Sequence, residues 1–99
     1  MSGIARRVVI RGRVQGVGYR AWVEHQARRL GLQGWVRNRR DGSVEAVFDG
    51  AESVVAGMIA SCRKGPASAR VDEVAEETVP ADALGLRHTG EPFSVLPTI

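Results

Sequence analysis

The 99-residue chain has one cysteine, two histidines and one lysine, and no apolar run approaches the ~20 residues of a membrane-spanning helix. A lone Cys62 excludes an internal disulfide and any thiolate-rich metal site. His25 and His88 lie far apart in the chain, with no HExxH-type spacing, so neither a metal nor another cofactor is expected. Near the N-terminus, Arg7 is followed by only three apolar residues before Arg11, too few for the apolar stretch of a secretory signal. The expectation is a cytoplasmic protein with no membrane partner. Hydrophobic residues make up 43% of the chain and charged residues 25%, which excludes the collagen-like, disordered and low-complexity classes. A chain this long supports one domain, residues 1–99, with one modest core.

A net charge of +3 conceals an asymmetry between the two halves. Residues 1–40 carry ten arginines and one acid, Glu24, whereas residues 41–99 carry four bases and ten acids. A basic first half suits an anionic partner such as phosphate, nucleic acid or acidic lipid; it also suits a solvated charged surface that folding brings against the acidic half. Arginine outnumbers lysine 13 to 1, a bias that genome composition alone can produce.

Hydrophobic periodicity divides the chain into strands and helices. From Arg6 to Val14, Val8, Ile10, Gly12 and Val14 share one face and Arg7, Val9, Arg11 and Arg13 the other, which predicts a strand. Gln15-Gly16-Val17-Gly18 breaks it. Tyr19, Trp22, Val23, Ala27 and Leu30 then fall at helical spacing, with Gly31 as the stop. Gly34 to Arg40 alternates again, and Asp41-Gly42 predicts a two-residue type I′ hairpin turn into a strand over Ser43–Asp49. A second helix is expected over Glu52–Lys64, with Val54, Val55, Met58, Ile59 and Cys62 as its apolar stripe and Gly65-Pro66 as its end. Ala69–Thr78 reads as a strand carrying a bulge, residues 79–91 as a loop with one helical turn, and Phe93–Leu96 as a short edge strand. The order βαββαβ plus a short fifth edge strand predicts an α+β ferredoxin-like sandwich, an antiparallel sheet with two helices on one face. In that topology the first two strands are parallel, so their C-terminal ends share one edge of the sheet.

Two segments meet at that edge. Gln15-Gly16-Val17-Gly18-Tyr19-Arg20 leads from a strand into a helix. A glycine loop at a helix N-terminus exposes backbone N–H groups where the helix dipole adds about half a positive charge, a cradle for phosphate-sized anions. Arg20, in the first helical turn, suits bidentate contact with two phosphoryl oxygens. The stretch is neither a Walker A loop nor a GxGxxG fingerprint, and a tight turn beside an exposed arginine has the same spelling. Asn38 lies near the end of the second strand, on the side of Val36 and away from Arg37 and Arg39. Its carboxamide suits holding a water, and equally suits capping the hairpin. No general acid stands nearby in the sequence, since Glu24 is the one carboxylate of residues 1–40. A site of this kind favours a leaving group that departs unprotonated. A carboxylate, with a pKa of about 4, is one, and this points to mixed carboxylic–phosphoric anhydrides.

At these residues the chain resembles the acylphosphatase family. Gly12-Arg13-Val14-Gln15-Gly16-Val17-Gly18-Tyr19-Arg20 is similar to one family signature. Gly34-Trp35-Val36-Arg37-Asn38, followed by Asp41-Gly42-Ser43-Val44-Glu45, is similar to the second. The likeness reaches about residue 78. It implies the ferredoxin-like fold and metal-independent hydrolysis of acyl phosphates to a carboxylate and phosphate. It further implies that Arg20 and the loop of Gln15, Gly16, Val17, Gly18 and Tyr19 bind the phosphoryl group while Asn38 positions the water. Gly18 stands where the family often has a bulkier residue. A monomer is the expected state.

Two other readings stand beside this one. A ferredoxin-like RNA-binding domain would use Arg11, Arg13, Arg37 and Arg39 on the open sheet face; only Trp35 shares their parity and no RNP1-like string is present, so no nucleic-acid partner is expected. The other is a regulatory module that binds an acyl or carbamoyl phosphate without turnover. His25 reads as a structural or solvated residue and Cys62 as a core filler.

Overall fold

Strict alternation in the first strand and mixed periodicity after it translate directly into a layered structure. The computed structural model describes residues 4–99. The reading of the N-terminus over Met1–Gly3 lies outside the described residues. The elements are β1 (Ile4–Arg13), α1 (Tyr19–Arg29), β2 (Gln33–Asn38), β3 (Val44–Asp49), α2 (Glu52–Lys64), β4 (Arg70–Pro80), a 3-10 segment (Ala81–Leu86) and β5 (Phe93–Val95). The five strands form one sheet in the order β4-β1-β3-β2-β5.

The α+β ferredoxin-like expectation holds, with one correction to the sheet. β1, β2, β3 and β4 pair antiparallel with their neighbours, but β5 runs parallel to β2, so the sheet is mixed. The chain turns back through residues 87–92 before β5. Gly34 N–H then bonds to Pro92 O and Leu96 N–H to Val36 O, which carries β5 along β2 in the same direction.

Val8, Ile10 and Val14 of the first segment, Val36 of β2, and Val44, Ala46 and Phe48 of β3 turn to the helices. There they pack with Tyr19, Val23 and Ala27 of α1 and Val55, Met58, Ile59 and Cys62 of α2. Each Val, Ile, Phe and Met among them contributes roughly 1.5–3 kcal/mol when fully buried. Phe93 stacks on Phe48 with ring centroids 6.0 Å apart and extends this core under β5.

Leu30 departs from its expected place in the stripe and is exposed. Helix α1 stops one residue earlier in a Schellman turn, where Gly31 (φ 72°) donates to Arg28 O and Leu32 donates to Ala27 O. Leu32, two positions on, is the residue delivered to the core.

The hairpin also differs from expectation. Asp41 has no positive φ; Gly42 alone does, at 93°. Gly42 N–H bonds to Arg39 O and Arg39 N–H to Ser43 O, a three-residue loop with a single glycine in the left-handed region. The reason is Asp41 itself, whose carboxylate accepts from Ser43 N at 2.9 Å and Ser43 Oγ at 2.6 Å and so closes an Asx turn. β2 therefore ends at Asn38 rather than Arg40. The expected bulge in β4 is present: Arg11 faces Glu73 while Gly12 faces Val71, leaving Asp72 out of register. A Cβ on Gly12 would press into Arg70 O and come within 2.8 Å of Asp72 N, so the two backbones approach this closely only with glycine there.

The open face of the sheet has a core of its own, unforeseen in the strand pattern. Ala5, Trp35, Val47, Leu84 and Leu96 cluster there, and Trp35 Nε1–H donates to Ala83 O at 2.8 Å. Beside them Glu45 is buried between two guanidinium groups, Arg7 Nε at 2.5 Å and Arg37 Nε at 2.8 Å. Burial alone would raise the Glu45 carboxyl pKa; hydrogen bonds and charge from Arg37 and Arg7 outweigh it and hold it below the ordinary carboxylate value. A depressed folded-state pKa gives stability that is complete above the ordinary value of 4.5 and lost as pH falls below it. Glu45→Gln is therefore expected to cost about 1–3 kcal/mol at pH 7, and the gap to the unsubstituted protein should narrow below that value. Urea unfolding of both proteins at pH 7 and pH 3.5 measures it; a gap that is the same at both would contradict the assignment.

Candidate active site

Sheet register decides where the two sequence segments fall. Val44 of β3 faces Ile10 of β1 on one side and Asn38 of β2 on the other. Ile10, Val44 and Asn38 thus form one row, about 10 Å across at two strand spacings. β1 leaves this row toward Gly16 and Gly18, so the cradle and Asn38 share one end of the sheet. They share one face as well: Asn38 is in phase with Val36, whose side chain lies in the core beneath α1.

The cradle itself is Gln15–Gly18 running into α1. Gly16 (φ 76°) and Gly18 (φ 83°) both occupy the left-handed region, and Gly18 is the residue that caps the helix. It offers no side chain to the helix N–H groups. Among the described residues no acceptor pairs with the backbone N–H groups from Gln15 to Ala21; the first intrahelical bond is Trp22 N–H to Gly18 O. The first turn of α1 carries no acid, while Arg28 and Arg29 in its last turn complement the opposite end of the dipole. Half-buried Arg20 has no ion pair or side-chain hydrogen bond among the described residues, in contrast to Arg7, Arg11, Arg28 and Arg37.

The Asn38 carboxamide oxygen is buried and has no hydrogen-bond partner among the described residues. A buried, unpaired acceptor costs about 1–3 kcal/mol, so it is retained where something else is meant to donate to it. Its own backbone is well held, because Asn38 O accepts from Ile99 N–H at 3.1 Å and Arg40 N–H donates to Ile99 O at 2.8 Å.

Two residues of the expected loop use their side chains differently from a ligand contact. Gln15 Nε2 donates to Arg39 O and to Ser43 O, both at 2.7 Å. Tyr19 is buried in the core and its hydroxyl donates to Cys62 O at 2.7 Å, with burial the first cause of its raised pKa. Only their backbone amides face the cradle question. Val17 O accepts from Ser68 Oγ at 2.8 Å, a tether the sequence reading missed; the Gly65-Pro66 turn that presents Ser68 was its sole trace. Ile99 was missed for a similar reason, since its partners lie sixty residues away.

Arg7, Arg11, Arg37 and Arg39 of the open face are engaged by carboxylates, whereas Arg13 has no ion pair among the described residues. Besides the Glu45 pair, Arg7 meets Glu77 at 3.0 Å and Arg11 meets Asp41 at 3.4 Å, while Arg37 lies 4.7 Å over the Trp35 ring. Asp41 is pushed down to about 2, first by the Ser43 hydroxyl and amide and then by Arg11. Cys62 is buried, and desolvation pushes its thiol up to about 12. His25 is exposed on α1. Among the described residues no group of three or more His, Cys, Asp or Glu comes together as a metal site, and no helix is long and apolar enough to cross a membrane.

Fold and site together define a ferredoxin-like α+β protein with an uncapped helix N-terminus and a free guanidinium at one sheet edge. The acylphosphatase family model matches residues 6–84. An acylphosphatase of Bradyrhizobium diazoefficiens is 67% identical over 99 residues, the whole of both chains. The crystal structure of acylphosphatase from Bacillus subtilis superposes with a TM-score of 0.79 at 30% identity, covering 94% of this chain and 98% of that one. Full-length HypF in its phosphate- and nucleotide-bound form matches with a TM-score of 0.73 at 26% identity, over 96% of this chain and 12% of the HypF chain. The chain belongs to the acylphosphatase family.

Gly18 tests the cradle's backbone directly. A Cβ there would meet nothing within 4 Å, so Gly18→Ala is expected to cost only the left-handed backbone, about 1–2 kcal/mol in urea unfolding. An unchanged midpoint would show that the loop does not hold this conformation in solution.

Proposed function

We propose that acyl phosphate hydrolysis takes place at this edge, with the phosphoryl group in the 15–20 cradle and the attacking water on Asn38. The water oxygen attacks phosphorus and the bond from phosphorus to the carboxylate oxygen breaks. The leaving carboxylate takes the electron pair and departs unprotonated, because its conjugate acid has a pKa of about 4. The water's proton passes to the phosphate product or to solvent. Negative charge spreads over the phosphoryl oxygens in the transition state, where Arg20 and the unpaired loop amides are placed to stabilise it. No general acid is required, in keeping with the lack of a carboxylate in the first turn of α1.

The observation that carries this reading is the Asn38 carboxamide oxygen. Among the described residues it is a buried acceptor with no partner, on the same face and at the same sheet end as a row of N–H groups with no partner. Donors that suit an anion and an acceptor that suits a water stand at one sheet edge. The RNA reading loses its support to the ion pairs of the arginine face and to the burial of Trp35 beneath Leu84 and Ala83. We further read the protein as a single domain acting as a monomer in the cytoplasm on a small soluble substrate. Its large exposed apolar side chains, Leu30, Leu86 and Ile99, sit on three separate segments.

Benzoyl phosphate hydrolysis in the presence of EDTA tests the assignment. Arg20→Ala is expected to lose at least about 10³-fold in kcat/KM, from both binding and transition-state stabilisation. Asn38→Ala is expected to lose about 10²–10³-fold in kcat, with KM and inhibition by inorganic phosphate within roughly threefold of the unsubstituted protein. Equal rates for all three proteins would refute the site. Tight carbamoyl phosphate binding without turnover would favour the regulatory module.

A further inference from the structure

Gln15 stands at the head of the cradle, yet both hydrogens of its carboxamide are spent elsewhere, one on Arg39 O and one on Ser43 O. These two carbonyls already have partners. Arg39 O accepts from Gly42 N–H and Ser43 O from Arg39 N–H. The pair of bonds from Gln15 therefore does not rescue stranded acceptors; it adds a link. Among the described residues, these are the side-chain bonds that run from the cradle to the exit of β2: one lands on Arg39, the residue immediately after Asn38, and the other on Ser43, which pairs with Arg39 across the turn. On the other side of the same strand exit, Ile99 holds Asn38 O and Arg40 N.

We propose that Gln15 is a positioning residue: its bidentate tie sets the separation between the anion cradle and the Asn38 carboxamide, and so the distance from water to phosphorus. This rests on the assignment of the water to Asn38. In-line attack needs the reacting atoms about 3–3.5 Å apart, and a misplacement of 1 Å costs on the order of 10²-fold in rate. The cradle belongs to β1 and α1 while Asn38 belongs to β2, with β3 between them. Without the tie, their spacing depends on strand ladders about 10 Å wide and on a three-residue turn.

Steady-state hydrolysis of benzoyl phosphate by Gln15→Met and by Gln15→Ala, each alone and combined with Asn38→Ala, tests this. Rates are taken per folded molecule, with the folded fraction from urea unfolding, and inhibition by inorganic phosphate is measured for every variant. Each single variant is expected to lose about 10–100-fold in kcat, with KM and phosphate inhibition within roughly threefold. In the Asn38→Ala background the same substitutions should change kcat by less than about twofold, because a residue acting through Asn38 has nothing left to position. Unchanged kcat in the single variants, an equal loss in both backgrounds, or a loss carried by weakened phosphate inhibition would each overturn the proposal. Failure of the underlying site reading is seen separately: Asn38→Ala alone would then turn over at the unsubstituted rate, and the positioning role would fall with it.

Discussion

Val44 faces Ile10 on one side and Asn38 on the other, and this register is what the site depends on. Because β3 runs antiparallel to both of its neighbours, β1 and β2 run the same way and end together. A slip of one residue in the β2–β3 ladder would turn Asn38 to the open face, and one in the β1–β3 ladder would do the same to Val8 and Ile10, since side chains alternate with a period of two. The helix-facing core of Val8, Ile10, Val36, Val44, Ala46 and Phe48 forbids that slip, because it would carry these side chains out of the core. Hydrophobic burial, a non-directional force, thus delivers the precision that chemistry at the sheet edge needs.

The two faces of the sheet divide the electrostatic work. On the open face, Arg7 and Arg11 of β1 and Arg37 of β2 meet Glu45, Glu77 and Asp41, so much of the basic first half of the chain is compensated by the acidic second half. On the helix face, Arg20 and the N–H groups at the start of α1 have no partners among the described residues. A basic sequence half therefore says little about where an anion binds. The pattern of pairing says more, because it separates cations already compensated, such as Arg7, Arg11 and Arg37, from Arg20 at the cradle, which has no ion pair among the described residues.

The helices, the first three strands and the glycine cradle were legible in the sequence because each is a local pattern. Period two gives β1 and β3, a stripe at 3.6 gives α1 and α2, and glycines at 16 and 18 mark the break between β1 and α1. The bulge in β4 was legible too, from the broken alternation at Val71 and Val74. Less legible were the features in which a side chain acts at a distance or competes with a turn preference. Asp41 captures Ser43 and so replaces the type I′ turn that Asp-Gly suggests. Leu32 takes the core place that spacing gave to Leu30, because the Schellman turn at Gly31 redirects the chain. The direction of β5 depends on how residues 81–92 return across the open face, and nothing local encodes it.

By itself, then, the sequence determined which residues could carry the chemistry, Arg20 on a helix start and Asn38 at a strand end, because those placements follow from short-range periodicity and turn chemistry. Only the tertiary structure decided that the Asn38 oxygen is left unpaired and that Gln15 reaches Arg39 and Ser43 rather than an anion. It also decided that Ile99 closes the far side of β2. The physical reason is that hydrogen-bond satisfaction is a property of the packed chain: which donor meets which acceptor depends on segments twenty-four to sixty-one residues apart brought together by the core, and no local pattern records the result.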